Sequence, residues 1–226
     1  MIAIRGAGSR IAEDLIELLP SAEEVVRVRR NMPMPCKAER YLFCQGLLRP
    51  ATVGGQSNEE IAESFWVNAG QIMAECERLI QCNDRARICV IGSESGISGS
   101  FDGTYASAKA ALHKYVETRR MRTSLQQLVC VAPSIVADSG MTLQREDQDN
   151  LANRAAAHPK GRFLLANEVA RMIHFLLYVD RGYTTGTVIR ATEARGRAAR
   201  GRRRAHRAPA RARGRRGAGP GPGQRR

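Results

Sequence analysis

The sequence predicts an α/β protein built as a three-layer, doubly wound parallel sheet. Short apolar runs alternate with longer segments of helical period, strand candidates are separated by helix candidates, and four Gly-rich or polar segments follow strand candidates. Strands separated by helices pair in parallel through right-handed crossovers. Open parallel sheets bind ligands beyond the C-terminal ends of their strands.

Taken in order, "MIAIRG" reads as a buried strand, and "SRIAEDLIELL" as an amphipathic helix with Ile11, Leu15 and Leu18 on one face. "EEVVRVRR" is a second strand, and "RYLFCQGLL" a third that ends at Gly46. "NEEIAESFWVNAGQIMAECERLIQC" is a long helix whose Ile61, Phe65, Ile72 and Leu79 are spaced for a packed face. "ARICVIGS" is a strand, and "TYASAKAALHKYVETRRMR" a helix of good helix formers. "SLQQLVCVAPS" is a strand stopped by Pro133, "ANEVARMIHFLLYV" a helix, and "TTGTVIRAT" a last strand. The segments "GAGSR", "CQG", "GSES" and "APSIVAD" therefore fall along one rim of the sheet.

The net charge of +14 suggests a nucleic-acid binder until the charge is located. Residues 193–226 carry thirteen arginines and one acidic residue, whereas the preceding 192 are nearly balanced. The chain divides into a near-neutral globular domain, 1–192, and an Arg/Ala/Gly/Pro tail, 193–226, expected to be disordered because it has almost nothing apolar to bury. Two readings of the tail stand: phosphate binding to RNA or DNA with little sequence preference, or the product of a shifted reading frame in a GC-rich gene.

Six scattered cysteines with no CxxC pair, and four distant histidines, give no metal-ligand spacing. The cysteines read as buried free thiols of a reducing compartment. No signal peptide is evident, and no apolar stretch approaches the roughly 20 residues a membrane span needs. These features place the protein in the cytoplasm.

Two motifs carry chemistry. "IRGAGSRIAEDL" fits a strand, a tight turn and a helix start, whose backbone N–H groups can hold a pyrophosphate. Tyr105 and Lys109, at i and i+4, share a helix face. An ammonium beside a phenol favours the phenolate and brings a pKa that starts near ~10 toward neutrality, which makes an acid/base catalyst. Ser93, at the preceding strand–loop junction, can hydrogen-bond an oxygen that gains or loses charge, with Ser95 a second candidate. His113 and Tyr115 follow on the same helix and read as packing residues. Met141 and Thr142 suit either a substrate lid or a plain surface loop, and Trp66 either packing or a subunit contact.

The order strand, "IGSESGISG", "YASAK" resembles the short-chain dehydrogenase/reductase family, with "VNAG" upstream and "VAPSIVADSGMT" downstream in matching positions. The resemblance covers about residues 1 to 192. It implies a Rossmann-like sheet and an oxidoreductase that moves a hydride between a nicotinamide cofactor and a carbonyl/alcohol pair. It implies Tyr105 as proton donor or acceptor, Lys109 as the group that tunes it and holds the nicotinamide ribose, and Ser93 as the residue orienting the substrate oxygen. Asn68 would anchor a proton-relay water. The cofactor would lie against Gly6, Gly8, Ser9, Arg10, Ile11, Gly46, Tyr105, Lys109, Pro133, Ser134 and Ile135. Arg29 and Arg30, where an acidic residue would mark NAD, favour NADP, with NAD possible. A homodimer or homotetramer is implied as well.

The departures are specific. Ser93 and Tyr105 are 12 positions apart, one fewer than is usual in the family, and Arg10 and Ala12 stand at glycine positions of the turn. Cys44-Gln45-Gly46 replaces Asn-Ala-Gly, Ser134 follows Pro133 where glycine is common, and the third strand of the family with its flanking helices is missing between "VRVRR" and "ERYLFCQG". These departures motivate an alternative: a degenerate dinucleotide-binding domain that serves as a sensor or interaction protein.

Overall fold

A computed structural model describes residues 1–180 and 182–192. The compact unit is Met1–Thr192. The expectations for the arginine-rich tail fall on residues 193–226, outside the described residues.

Six parallel strands form one sheet in the order β2-β1-β3-β4-β5-β6. They are β1 (Ile2–Arg5), β2 (Val25–Val28), β3 (Arg40–Phe43), β4 (Arg87–Ile91), β5 (Gln127–Pro133) and β6 (Thr187–Ala191). The helices are α1 (Arg10–Glu17), α2 (Asn58–Phe65), α3 (Gln71–Cys82), α4 (Ser95–Ser98), α5 (Gly103–Thr118), α6 (Gly140–Leu143), α7 (Gln148–Ala156) and α8 (Ala166–His174). The chain winds one way from β1 to β2 and the other way from β3 onward, so the winding reverses between β1 and β3. A crevice opens at such a reversal, beyond the strand ends.

The period-2 alternation of the strands sorts the core into two layers. Ile2, Ile4, Leu42, Cys89, Val129 and Val131 pack with Leu15 of α1 and Val169 and Ile173 of α8. Ala3, Tyr41, Phe43, Ile88, Val90, Leu128 and Cys130 pack with Ile72 and Leu79 of α3 and Leu112 and Val116 of α5. Burial on both faces is why the strand candidates read as continuous apolar runs.

The long helix differs from its expected face. Residues Trp66–Gly70 form a π-helical turn between α2 and α3, so "VNAG" lies in a bulge. The wider turn shifts the phase of the helix. Ile72 and Leu79 are buried as expected, but Ser64, Val67 and Asn68 take the inward positions ahead of them, and Phe65 is 39 % exposed. Trp66 is also exposed and lies outside both core clusters of the described residues.

From β2 to β3 the chain runs through 29–39 with neither helix nor strand, which leaves β2 at the sheet edge. This strap is tied down instead. Met34 is buried, its N–H donates to Glu75 at 3.0 Å, and its carbonyl accepts from Arg78. Asn83 donates to the carbonyls of Cys36 and Ala38, and Arg5 donates to that of Met32. The expectation of six free thiols is corrected here: Cys36 and Cys82 form a disulfide, and the other four cysteines are free. A strap without secondary structure needs such ties, because its backbone groups have no ladder to satisfy them.

Candidate functional site

The opening turn sits at the reversal between β1 and β3. Gly6 has φ +79, and a Cβ there would meet the Cys44 carbonyl carbon and the Gln45 nitrogen at 2.6 Å. The turn therefore requires glycine for conformation and for close approach to the end of β3. Gly8 faces open space. Ser9 caps α1 by accepting from the Ala12 N–H at 3.2 Å, and its Oγ lies 2.9 Å from Cys44 Sγ. Arg10 pairs with Asp14 at 2.9 Å, while Ile11 is buried in the core. The α1 N-terminus thus presents N–H groups at the reversal, while the Arg10 guanidinium is turned along the helix to Asp14.

The strand expected to reach Gly46 ends at Phe43, and Cys44-Gln45-Gly46 forms the loop beyond it. Burial pushes the Cys44 thiol up to about 11, partly opposed by Ser9 and Lys109, so it is a thiol and not a thiolate. A Cβ on Gly46 would meet Met141 Cε of α6 at 2.7 Å and Asn68 Oδ1 at 3.6 Å. The segment carrying Met141 thus closes over this loop. Asn68 spends its side chain on the same loop: Oδ1 accepts from the Leu47 N–H at 2.9 Å, and Nδ2 donates to the Leu47 and Ser64 carbonyls. The side chain fixes the loop to the π-helical turn, which is a structural job beyond the water-anchoring role that the family resemblance implied.

Ser93 follows β4. Its Oγ accepts from the Ser95 N–H at 3.1 Å, and its hydroxyl is near enough to the Tyr105 phenol to pull the phenol's pKa down. Ser95, the second candidate, begins the short α4 and serves Ser93 through its backbone. Tyr105 and Lys109 lie on one buried face of α5, as their spacing predicts. Lys109 Nζ is 5.8 Å from the centre of the Tyr105 ring and donates to the Ile91 carbonyl at 2.7 Å.

The electrostatics correct one expectation. Burial pushes the Tyr105 phenol above its ordinary value, the nearby Ser93 hydroxyl opposes this, and Asp102 adds to it. Lys109 itself is pushed down to about 8 by burial, with the Cys130 and Cys44 thiols pulling the other way. The fold by itself does not make Tyr105 more acidic, because an ammonium directed at a backbone carbonyl does little for a phenol one helical turn away.

Two residues outside the expected set position this pair. Asp102 is buried at the N-cap of α5, where its carboxylate accepts from the Tyr105 N–H at 3.0 Å, the Gln56 amide at 3.0 Å and the Arg49 N–H at 2.9 Å. An Asp three residues before Tyr105 is a readable N-cap signal. His113 lies one turn beyond Lys109, buried, with Nε2 accepting from the Ser93 N–H at 3.3 Å. Tyr115 donates to Glu77 at 2.8 Å and so ties α5 to α3.

Pro133 ends β5 and is buried, and the Ser134 N–H donates to the Ala191 carbonyl at 3.0 Å. Ile135 is half-buried on the segment leading to α6. Asp138 accepts from the Ala166 N–H at 2.8 Å, which docks this segment on the start of α8. Arg29 and Arg30 are exposed at the strap. Arg30 lies 3.9 Å from Glu63, and its carbonyl accepts from Gln71. The structure therefore brings together Ser93, Tyr105 and Lys109, and separately Gly6, Ser9 and the 44–46 loop; it leaves Arg29 and Arg30 on the surface. Among the described residues no group of three or more His, Cys, Asp or Glu can hold a metal ion, and no helix is long and apolar enough to cross a membrane.

No family model and no curated protein matches the chain. Solved structures match its fold. A short-chain dehydrogenase/reductase described as a glucose/ribitol dehydrogenase from Brucella melitensis aligns with TM-score 0.71 at 15 % identity, over 84 % of this chain and 93 % of its own. A small-chain dehydrogenase in complex with NADPH gives TM-score 0.71 at 15 % identity, over 84 % and 95 % of the two chains. A 3-oxoacyl (acyl-carrier-protein) reductase from Agrobacterium tumefaciens with NADP bound gives 0.69 at 16 %, over 84 % and 92 %. The doubly wound sheet of this chain is thus the fold of these dehydrogenases and reductases.

Proposed function

We propose that this chain, sharing that fold, is an NADP-dependent oxidoreductase acting on a carbonyl/alcohol pair. The observation that carries the proposal is the convergence of Ser93, Tyr105 and Lys109 beyond β4, beside the crevice where the winding reverses.

The residues present fit a dinucleotide. Lys109 carries three donors, and Ile91 is the one acceptor found for it among the described residues, which leaves donors for ribose hydroxyls. The side-chain amide of Gln45 is buried with neither atom partnered among the described residues, next to the close approach at Gly6. The N–H groups of α1 and the Arg10 guanidinium suit a pyrophosphate, with Gly8, Ser9 and Ile11 shaping the turn. Arg29 and Arg30 suit a 2′-phosphate better than a bare ribose. Gly46, Pro133, Ser134 and Ile135 would line the nicotinamide end. Bound nicotinamide supplies or accepts the hydride.

In carbonyl reduction, Tyr105 Oη donates the proton to the substrate oxygen, while Ser93 Oγ hydrogen-bonds that oxygen as it gains charge. The elevated phenol of this state keeps that proton in place until substrate arrives. Lys109, already near neutrality, can pass a proton toward Tyr105, and Asn68 holds the loop roofing the path. The substrate class is any small carbonyl or alcohol that fits under 139–162. A homodimer or homotetramer through the exposed Phe65–Trp66 side of α2, and a cytoplasmic location, belong to the same proposal.

The test is NADPH fluorescence on the full chain and on a version ending at Thr192, each compared with NADH. Micromolar NADPH binding by both, weaker NADH binding, and turnover of an ortho-quinone or α-diketone that Tyr105→Phe abolishes are the expected results. Binding without turnover would favour the sensor reading. No binding by a folded sample would sink the cofactor assignment. RNA or DNA binding lost on truncation at Thr192 would assign a separate activity to the tail.

A further inference from the structure

Packing alone does not explain the histidine at position 113. Its ring fills the space that Cβ atoms on Gly92 and Gly96 would occupy: a Cβ on Gly92 would lie 2.3 Å from His113 Nε2, and one on Gly96 2.7 Å from Cε1. The two glycines of "GSESG" are therefore the complement of this ring. Yet the ring is buried, and its Nδ1 has no hydrogen-bond partner among the described residues. A leucine would fill such a space without leaving a polar atom unpaired.

What the ring does make, among the described residues, is one hydrogen bond, to a backbone N–H with no other partner there. Gly92 and Glu94 donate to the Val131 and Pro133 carbonyls, which extends the pairing of β4 with β5. Ser93 lies between them, so its N–H faces away from β5. On that side β3 has ended at Phe43. His113 Nε2 supplies the missing acceptor at 3.3 Å, which places the imidazole proton on Nδ1. Ser93 is thereby held at two points, through its N–H by His113 and through Oγ by the Ser95 N–H.

We propose that His113 is a positioning residue: its neutral imidazole fixes the Ser93 backbone so that Ser93 Oγ meets the Tyr105 phenol, and its protonation releases Ser93. The proposal rests on the oxidoreductase reading for its consequence in turnover, but not for the hydrogen bond. The charged and titratable groups around the ring are Lys109 and Glu117 on α5 and the Cys130 thiol on β5, which lies 2.6 Å from the same Gly92 Cβ position. Burial, reinforced by Lys109 and opposed by Glu117, holds His113 down to about 4, so the imidazole is neutral at physiological pH.

The experiment uses the full chain labelled at the histidine nitrogens and backbone amides, titrated from pH 8 toward the acid limit of the fold. The expected result is an unprotonated Nε2 at pH 7 and a Ser93 amide shift that follows the imidazole well below the ordinary histidine range. An imidazole titrating in the ordinary range, with Ser93 unmoved, would overturn the proposal. In parallel, His113→Gln keeps a non-titrating acceptor and His113→Leu removes it. With NADPH and an ortho-quinone as probes, Gln should retain kcat and lose any acid limb due to His113. Leu should lower kcat about ten- to hundredfold with NADPH KM unchanged and the far-UV spectrum intact. Wild-type kcat in a folded Leu variant would overturn it. If the wild type itself turns nothing over, the oxidoreductase reading fails separately. The Tyr105 phenol titration then decides: an upward displacement in His113→Leu but not in His113→Gln supports the positioning role, and no displacement in either overturns it.

Discussion

Lys109 should cost the folded protein stability, and removing its charge should show it. Burial brings its pKa from 10.5 to about 8. At ~1.4 kcal/mol per pH unit this corresponds to about 3 kcal/mol of unfavourable burial. Lys109→Met keeps the aliphatic bulk but leaves the Ile91 carbonyl without its 2.7 Å donor, a loss of about 1 kcal/mol. The net expectation at pH 7 is a gain of about 2 kcal/mol, or roughly 4–8 °C in melting temperature for a domain of this size. The sign has a pH signature. A folded-state pKa below the unfolded one means that the unfolded chain binds more protons between about 8 and 10.5, so wild-type stability from this group rises with pH through that window. The advantage of the Met variant should therefore be full at pH 7 and much smaller near pH 10. Urea unfolding followed by circular dichroism at the two pH values measures both quantities. A Met variant less stable than wild type at pH 7, or an advantage that does not change with pH, would refute the reasoning. If the oxidoreductase reading holds, the same variant should lose NADPH turnover, so that lysine at this position serves function at the expense of stability.

Asp102→Ala should remove the α5 N-cap, at about 1 kcal/mol, and strand the Arg49 N–H and the Gln56 amide. The combined loss is about 3 kcal/mol, visible as a melting temperature lower by roughly 6–12 °C; an unchanged melt would show that the cap is dispensable. Gly6→Ala places a Cβ 2.6 Å from two backbone atoms at φ +79 and should cost upward of about 3 kcal/mol, whereas Gly8→Ala meets nothing within 4 Å and should fold normally. Equal melting of the two variants would contradict the close approach. Thiol counting in denaturant should give four reactive cysteines before reduction and six after it. Six before reduction would remove the Cys36–Cys82 bridge, whose loss should otherwise lower stability by about 2–4 kcal/mol.

Sequence reasoning reached the sheet because both of its faces are buried. "MIAIR", "RICVI" and "QLVCVAP" are apolar but for one terminal residue each, Arg5, Arg87 and Gln127, and the helices between them admit only parallel pairing. The Tyr105–Lys109 face was legible from spacing alone, since i and i+4 coincide on any helix. The phase of the long helix was not, because a π-helical turn at 66–70 leaves no signature in a 3.6-residue pattern, and Phe65 came out exposed. The disulfide was equally hidden: Cys36 and Cys82 are separated by 46 positions, and only the path of the strap brings them together.

The sequence by itself determined the element order, the rim on which polar segments gather, and the residues available for acid/base chemistry. These are local or periodic properties, written in hydrophobic alternation and fixed offsets. Tertiary structure alone decided what surrounds each group. It aimed the Lys109 ammonium at Ile91 instead of Tyr105, spent the Asn68 amide on Leu47, and set His113 against the Ser93 N–H. Such choices depend on which backbone groups lack a partner where strands end at different lengths, and that is settled only when the whole sheet has been assembled.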